Sequence, residues 1–400
     1  MNDISPLFCT SRHDALARLQ AFLPHAGLAY ARDRNHDVPG HPHVSRLSPA
    51  LRHRLITEAE VLAAVTRAQG DTAEKFIAEV LWRSYWKGFL ELRPSLWAGY
   101  RRDLRAAMNR LATESGLRQQ WQAACSGTTG IDGFDHWAQE LVQTGYLHNH
   151  ARMWFASIWI FTLRLPWELG ADFFLRHLLD GDAASNTLSW RWVAGLHTPG
   201  KTYAATTDNI AKYTAGRFSP LGLARQTSPV QGQPNPAPGP CPSGDAWDRS
   251  APSVLLVHED DLSPDWLLDL GLRPKAVVLM TATSGRSPLI TAPLVGDYVG
   301  QCMADLAARL TNLLGADVPL SRATDLAQDL RQISMDTGAT QIVTPYAPVG
   351  PVADMLAPLR AAGPPLRLAM RPYDRALWPH ATHGFFRFRA AVAPAIQAPA

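Results

Sequence analysis

The chain has 400 residues, of which 46% are hydrophobic and 18% charged, with a net charge of +3. This balance excludes a disordered chain, because it supplies enough apolar side chains for a buried core. The four cysteines are too widely spaced for a disulfide framework or a CxxC metal site. The sequence opens with no basic-then-apolar leader, and its most apolar run, residues 153–163, is far shorter than the roughly 20 residues that cross a bilayer. We therefore expect a soluble, cytoplasmic, monomeric protein with no metal and no membrane contact.

Residues 1–218 are predicted to form an all-helical domain. Apolar residues recur at three- and four-residue spacing in residues 71–92 and 135–165, and Thr57 and Glu60 match the capping-box pattern of a further helix start. This part holds 24 Lys and Arg against 20 Asp and Glu, and 10 of the 13 tryptophans. So many tryptophans predict a large helical core, and a stacking or redox function is the alternative.

Residues 219–252 are predicted to be a linker. The stretch from Pro229 to Pro242, PVQGQPNPAPGPCP, has no apolar periodicity and cannot hold the hydrogen bonds of a helix or a central strand. We expect it to be extended and semi-rigid.

Residues 253–400 alternate short apolar runs with helical patterns, which predicts a Rossmann-like α/β domain with a parallel sheet. No GxGxxG follows the first strand, so the usual dinucleotide site is not expected. Four glycines stand where helix C-caps belong, namely Gly271, Gly315, Gly338 and Gly363. The predicted strands are residues 254–257, 276–280, 341–344 and 366–370, and the predicted helices are residues 264–270, 298–314, 325–337 and 352–362.

The first candidate for a functional site is the stretch VSRLSPAL, residues 44–51. Ser48 followed by Pro49 predicts an N-cap with proline at the first helical position. The free N–H groups of such a helix start, together with Ser45 and Arg46, would form a phosphate cradle. An ordinary capped helix is the alternative.

The second stretch is EVLWRSYW, residues 79–86. On a helix, Glu79, Trp82, Arg83 and Trp86 share one face. This face is either an intrahelical Glu–Arg ion pair over packed indoles or a carboxylate between flat walls that hold a planar ligand.

The third and fourth stretches are TGYLHNHARM and DGDAASNTLSWRW. Asn149 and Met153 share a helix face, whereas His148 and His150 point apart, so zinc is not expected. Asp180 and Asp182 lack the terminal Glu of an EF-hand. They either hydrogen-bond a heterocycle or balance Arg152.

In this order, VSRLSP, EVLWR, TGYLHNHARM and DGDAASNTLSWRW strongly resemble the FAD-binding domain of the photolyase/cryptochrome family, over about residues 15–218. The resemblance implies an all-helical domain that holds FAD in a U-shape beneath an opening for an extruded DNA lesion. It implies an ion pair of Arg152 and Asp180 beside the flavin, Asp182 at the ring edge and Asn186 facing N5. The implied FAD-binding residues are Tyr30, Val44, Ser45, Arg46, Leu47, Ser48, Arg83, Asn149, Arg152, Asp180, Gly181, Asp182 and Asn186.

The same resemblance implies a lesion pocket and an electron relay. Glu79, Asn149, Met153 and Asn186 are the implied catalytic residues. Trp190 and Trp167 match two relay tryptophans, and Trp121 or Trp97 is the candidate for the third. The implied lesion or DNA contacts are Glu79, Trp82, Trp86, Asn149, His150, Met153 and Trp192.

Two residues depart from the family pattern. His150 stands where enzymes that act on cyclobutane dimers usually carry Arg, and Phe76 stands where Trp is common. The string HNHAR lacks the paired histidines of (6-4) enzymes.

Residues 253–400 resemble the family's antenna-type α/β domain, through residues 254–262 and 384–388. That domain normally precedes the FAD-binding domain, so the resemblance implies a circular permutation. We expect this domain to buttress the fold, and an antenna pigment, left unassigned, is the alternative.

The resemblance as a whole implies a deoxyribodipyrimidine photolyase, an enzyme that uses light and reduced FAD to split cyclobutane pyrimidine dimers in UV-damaged DNA. The alternative is a cryptochrome-like photoreceptor that signals through flavin redox state, and a catalytically inactive FAD-binding scaffold is a third interpretation. The sequence leaves open the lesion type, the pigment and any signalling partner.

Overall fold

The first half of the chain is helical in the computed structural model, which describes residues 8–198, 200–361 and 364–397. The predicted capping box is confirmed, because Thr57 accepts from the Glu60 amide while the Glu60 side chain accepts from the Thr57 amide. The α-helices before the first strand are α1 (Arg12–Phe22), α2 (Leu28–Asp33), α3 (Ser48–Arg52), α4 (Glu58–Gln69), α5 (Glu74–Glu91), α6 (Ser95–Thr113), α7 (Ser115–Ser126), α8 (Phe134–Thr144), α9 (Asn149–Ser157), α10 (Trp167–His177), α11 (Ala183–Val193) and α12 (Thr207–Tyr213).

The expected helical run over residues 135–165 is broken into pieces. Helix α8 ends at Thr144, where Gly145 caps it with φ +69°. Helix α9 then starts at Asn149 and passes into a π-helical turn, Ile158–Thr162. A residue with a side chain rarely adopts the φ of Gly145, so the break at this glycine re-aims α9.

A five-stranded parallel sheet follows, with strand order β3-β2-β1-β4-β5. The four predicted strands are confirmed, whereas the short β3 was not predicted. Gly271, Gly315 and Gly338 follow helices with positive φ, as predicted, and Gly363 lies outside the described residues. The elements are β1 (Ser253–His258), α13 (Asp265–Asp269), β2 (Pro274–Met280), α14 (Pro293–Leu314), β3 (Leu320–Arg322), α15 (Leu326–Thr337), β4 (Gln341–Pro345), α16 (Pro351–Leu356), β5 (Leu366–Ala369), α17 (Pro372–Leu377) and α18 (Phe385–Gln397).

The sheet is buried on both faces. Alternate residues of β1 belong to two different cores: Leu255 and Val257 pack with the core of the helical half, and Val254 and Leu256 pack with side chains of α15 and α16. One continuous apolar core therefore joins the helical half to one face of the sheet. No helix in the described part of the chain is long and apolar enough to span a membrane.

Residues 219–252 contain neither helix nor strand, and they are packed against both halves of the chain. The Val230 amide donates to the Ala194 carbonyl, and the Gly239 amide donates to the Leu92 carbonyl. Further along, the Asp245 amide donates to the Leu368 carbonyl beside β5. This segment is thus extended, as expected, and is held in place along much of its length.

Buried ion pairs join the helical half to the carboxyl end of β1. Arg52 pairs with Asp260, and Arg54 pairs with Asp261 and Asp374. Arg54 adopts φ +50°, a left-handed conformation that costs free energy for a residue with a side chain. That conformation directs its guanidinium to three carboxylates, because Glu58 also lies 3.3 Å from its Nε.

Candidate functional site

The predicted phosphate cradle is a tight loop ahead of α3. Helix α3 begins at Ser48 and its N-cap is Leu47, so the prediction that Ser48 is the N-cap was wrong by one position. The Ser45 hydroxyl accepts from the Leu47 amide at 3.3 Å and so closes the turn before α3, whose own N-terminus has no side-chain cap. Arg46 adopts φ +55°, which turns its side chain out of the path of the helix.

Arg46 has unused hydrogen-bonding capacity. One Nη donates to the Gly40 carbonyl at 3.3 Å, and the buried Nε has no partner. Burial and the neighbouring Arg18 lower the pKa of Arg46. A buried donor beside a second cation is stabilised by an anion, and a diphosphate supplies one.

His41 fixes this loop by lying between two carboxylates, and it acts as a brace. Its Nε2 lies 3.1 Å from Glu140, and its Nδ1 lies 3.5 Å from Asp37. Burial by itself lowers the pKa of His41, but the two carboxylates outweigh it and raise the pKa to about 9. Asp37 also accepts from the Trp137 indole at 3.0 Å, so the brace is fixed to α8.

The predicted face of α5 exists, but its charges pair with other elements. Glu79 forms an ion pair with Arg34, which follows α2, and Arg83 Nε donates to Glu58 at 3.0 Å. The intrahelical Glu79–Arg83 pair, one of the two alternatives for this face, is therefore not formed. Glu79 and Arg83 instead tie α5 to the segments on either side of it.

The two indoles of this face differ in exposure. Trp86 is 7% exposed and packs edge-on to His197, whereas Trp82 is half-buried. One face of Trp82 stacks on Phe385 of α18, with ring centroids 3.8 Å apart and an interplanar angle of 7°. Trp82 also lies 5.2 Å from Trp86 and 5.5 Å from Tyr85, so its ring is part of an aromatic cluster and is only partly open to solvent.

Tyr30 is buried between Phe22 and Phe76, which it meets edge-on at 6.1 and 5.1 Å. The Arg34 guanidinium lies 5.9 Å from the Tyr30 ring centroid. Phe76 thus holds Tyr30 in place at the position where the family usually has Trp.

Arg152 and Asp180 form the ion pair that the resemblance implied. Arg152 Nη2 donates to Asp180 Oδ2 at 2.8 Å, and its Nε donates to the Leu147 carbonyl at 3.0 Å. Burial lowers the pKa of Arg152, but Asp180 more than offsets this effect and the pKa is raised. Asp180 Oδ1 is buried without a partner, so it can accept one more hydrogen bond.

Asp182 connects three segments of the predicted site. It caps α11, where its Oδ1 accepts from the Ser185 amide at 2.8 Å. Its Oδ2 lies 3.6 Å from Arg83, 3.8 Å from Lys87 and 4.0 Å from Arg52. Burial raises the pKa of Asp182, but these three cations lower it further than burial raises it, so the carboxylate stays ionised.

Asn186 and Gly181 are fixed by their surroundings. Asn186 Nδ2 donates to the Ala171 carbonyl at 2.8 Å, which leaves its amide oxygen for another donor. A Cβ on Gly181 would lie 3.0 Å from the Leu178 carbonyl oxygen and from the Arg286 guanidinium, so the backbone turns here in a confined space.

On α9, Asn149 is exposed and Met153 is half-buried. His150 stacks on Trp154 with centroids 4.2 Å apart, and its Nδ1 lies 3.0 Å from the Asn35 carbonyl. Trp192 of α11 stacks on Tyr203 at 5.7 Å. His150 is thus part of an aromatic stack rather than a free basic group.

The two predicted relay tryptophans are buried. Trp190 meets Trp159 edge-on at 6.2 Å. Trp167 lies 5.7 Å from Tyr100, which in turn lies 5.4 Å from Trp97. Of the two candidates for the third position, Trp97 is therefore joined to Trp167 through one intervening ring.

The predicted FAD and lesion residues differ in exposure. Tyr30, Leu47, Trp86, Asp180, Gly181, Asp182 and Asn186 are buried, and Asn149 is exposed. The half-buried residues are Val44, Ser45, Arg46, Ser48, Glu79, Trp82, Arg83, His150, Arg152, Met153 and Trp192.

These groups fit FAD. Arg46 has a buried donor for the diphosphate, and Asp180 has a buried acceptor for a polar ring atom or a hydroxyl. The ionised Asp182 and the Asn186 amide oxygen supply further hydrogen-bond acceptors for the edge of a heterocycle. Among the described residues, no cluster of three or more His, Cys, Asp or Glu side chains is arranged to hold a metal ion.

Three contributors were missed from the sequence: Arg34, Arg52 and Phe385. Arg34 lies four residues after Tyr30, a spacing that places both near one helix face and gave a usable signal. Arg52 and Phe385 act across the two halves of the chain, and no local pattern identifies such partners.

Part of the chain is similar to known proteins. A family model described as the FAD binding domain of DNA photolyase matches residues 76–218. The chain is 32% identical over 199 residues to a deoxyribodipyrimidine photo-lyase of Streptomyces griseus, covering 50% of this chain and 42% of that protein. It is 35% identical over 191 residues to a protein of the same name from Thermus thermophilus, covering 47% of this chain and 44% of that protein.

Among solved structures, a class III photolyase from Agrobacterium tumefaciens is 27% identical, with a TM-score of 0.43 over 51% of this chain and 43% of that one. The chain thus spans less than half the length of the curated relatives it matches. The matched segment contains three of the four stretches singled out in the sequence. Within the helical half of this chain, residues 76–218 are thus similar to the FAD-binding domain of DNA photolyase.

Proposed function

We propose that this protein is a photolyase that repairs cyclobutane pyrimidine dimers in DNA. The observation that carries the proposal is the half-buried face of Glu79 and Trp82 on α5, one turn from Arg83, which contacts the ionised Asp182. A lesion-recognising carboxylate and an indole wall thus adjoin the residues assigned to the flavin. Bound FAD would supply light absorption and one-electron transfer.

The residues assigned to FAD divide by chemistry. Arg46 and Ser45 hold the diphosphate, because they lie on one loop and Arg46 has a buried unpartnered donor. Arg152 provides a positive charge that Asp180 holds in place. Asp182 and Asn186 orient the ring by accepting hydrogen bonds, each fixed by its own backbone contact.

The lesion side is assigned to Glu79, Trp82, Asn149, Met153 and Trp192. A pyrimidine dimer stacks poorly in the duplex, so extruding it costs less free energy than extruding an intact pair of bases. Aromatic walls recover part of that cost, about 1–3 kcal/mol per stacked base. Asn149 is exposed and Met153 half-buried, so both are reachable from solvent.

We infer that the domains are residues 1–218 and 253–400, joined by residues 219–252, and that their order is a circular permutation of the family arrangement. The strand order β3-β2-β1-β4-β5 supports a Rossmann-like second domain. In such sheets, ligands bind at the carboxyl ends of the strands where the order reverses, which here lies between β1 and β4.

That crevice is occupied by the protein itself. His258 Nε2 lies 2.9 Å from the Pro345 carbonyl, Asp260 pairs with Arg52, and Asp261 pairs with Arg371. We therefore assign the second domain a buttressing role rather than the binding of an antenna pigment.

A photoreceptor without repair activity is the second candidate. It is favoured by the ion pair between Arg34 and Glu79 and by the cover of Phe385 over Trp82, both of which narrow the lesion pocket. A repair protein must release or share these contacts when a dimer enters.

One experiment separates the two candidates. Reduced, FAD-loaded protein is irradiated with blue light in the presence of an oligonucleotide that contains a single thymine dimer, and restored thymines are counted by chromatography. Repair in the light and none in the dark supports the photolyase. Full FAD occupancy with no repair, and equal affinity for damaged and undamaged DNA, would exclude the photolyase and favour the photoreceptor.

A further inference from the structure

A bare aromatic ring stands beside the proposed lesion pocket. Phe386 is 80% exposed, and among the described residues it is the one aromatic side chain in the group of large, highly exposed hydrophobics. Its neighbour Phe385 is buried and stacks on Trp82. The ring centroids of Phe385 and Phe386 are 5.8 Å apart. Water around an exposed phenyl ring is a free-energy cost that a binding partner removes.

Helix α18 holds this ring rigidly at the edge of α5. Phe385 of α18 stacks on Trp82 of α5. One turn further along α18, Arg389 pairs at 2.8 Å with Glu74, which lies two turns before Trp82 on α5, so the two helices run antiparallel. Phe388 is fully buried, 5.5 Å from Tyr85, and anchors the helix. The backbone of Phe386 is therefore fixed close to the Trp82 wall.

The segment that carries Phe386 is basic, although Glu74 of the adjoining α5 pairs with Arg389. Residues 375–397 contain no Asp or Glu, and Arg375 and Arg387 are exposed. His380 and His383 are exposed in the same segment. An exposed aromatic ring flanked by cations complements DNA, in which a stack of bases lies between two rows of phosphates.

We propose that Phe386 is a wedge that enters the duplex at the place vacated by the extruded dimer and stacks on the bases left behind, while Arg387 contacts a phosphate. This inference rests on the proposed function. Extruding two bases leaves a gap in the duplex, and an apolar side chain that fills the gap recovers part of the lost stacking. A wedge contributes only in duplex DNA, because a single strand has no complementary stack to hold open.

The test compares Phe386→Ala with Ile290→Ala, a matched control that removes a side chain of 87% exposure from the segment before α14. Affinity is measured for a thymine-dimer duplex, the same duplex without the dimer, and the single-stranded dimer oligonucleotide. We expect Phe386→Ala to weaken binding of the dimer duplex about tenfold and to leave the single strand unchanged. Phe386→Trp is expected to restore duplex binding, and Ile290→Ala to match the unmodified protein.

Arg387→Ala provides a second measurement. As a phosphate contact, it should weaken binding to both duplexes alike and reduce the slope of log affinity against log salt by about one. A slope unchanged in Arg387→Ala would contradict the phosphate contact.

The outcomes separate the inference from the function on which it rests. If the unmodified protein does not prefer the dimer, the proposed function fails. If it prefers the dimer and Phe386→Ala binds the dimer duplex equally well, or loses single-strand affinity to the same extent, the wedge is wrong. If Phe386→Ala instead abolishes a concentration-dependent dimer seen by sedimentation and leaves DNA affinity intact, the ring is a contact between two copies of the chain.

Discussion

Arg52 Nη1 and Asp260 Oδ1 lie 2.5 Å apart and join the end of α3 to the segment that follows β1, and both side chains are almost completely buried. Asp260 has its pKa lowered to about 2 because Arg52 and its other charged neighbours outweigh the burial that raises it. The pair is therefore ionised at neutral pH and holds the two halves of the chain together.

Removing one charge of this pair should be costly. We expect Asp260→Asn to lower the free energy of unfolding by about 3 kcal/mol at pH 7, because Arg52 would remain buried without its closest carboxylate. Urea unfolding followed by tryptophan fluorescence measures this change. Glu114→Gln, which breaks the exposed pair with Arg110, should produce no measurable change, and an equal effect of both variants would contradict the role of burial.

His41 should make stability depend on pH in a defined window. Its pKa of about 9 in the folded protein lies above the unfolded value of 6.5, so its contribution is complete below pH 6.5 and is lost as pH rises through 9. The contribution is on the order of 3 kcal/mol. His41→Asn should flatten the stability profile between pH 6.5 and 9, whereas His25→Asn, at an exposed site, should not.

Arg46 should matter for the diphosphate of FAD and not for the ring. Because its buried Nε has no partner in the protein, we expect Arg46→Ala to weaken FAD affinity about tenfold or more. Fluorescence titration of the apoprotein measures this effect, with the exposed Arg67→Ala as control. Affinity for lumiflavin, which has no diphosphate, should not change in Arg46→Ala, and a parallel loss would place Arg46 elsewhere.

Glu79 should act on the lesion and leave the flavin in place. We expect Glu79→Ala to lower the yield of repaired dimers about tenfold while the ratio of flavin to protein stays unchanged. Lys75→Ala, at an exposed site on the same helix, is the control. Loss of flavin in Glu79→Ala would show that this carboxylate belongs to the cofactor site.

The stack of Phe385 on Trp82 should be measurable as a coupling. Single and double alanine variants, compared by thermal unfolding, are expected to give a coupling free energy of about 1 kcal/mol for this pair. Additive effects would indicate that the two rings stabilise the protein independently.

Much of the architecture could be predicted because local patterns of apolar residues indicate the helices and strands. Every residue of β1 is buried, so an uninterrupted apolar run marked it. The three-residue β3 is mostly exposed and has no such pattern, so it was missed. The helical periodicity of residues 135–165 hid a break at Gly145, whose positive φ ends one helix before the pattern ends.

The site was predicted as segments, and its cross-links were not. Glu79 and Arg34 are 45 positions apart, and Arg52 and Asp260 are 208 positions apart. A pairing at such distances depends on how the helices and the sheet pack, and no sequence spacing encodes it. The spacing of Glu79 and Arg83 allows an ion pair on one helix. The pair is not formed because each residue has its partner on another element.

Two arginines of the helical half pair with acids that follow β1, so the two halves of the chain should not be stable as separate fragments. A fragment that ends in the proline-rich segment would carry Arg52 and Arg54 without the acids that follow β1, and its companion would carry those acids without their counterions. A single proteolytic nick at Pro236 should therefore leave the two pieces associated, whereas genes that encode them separately should yield insoluble products unless both are expressed together.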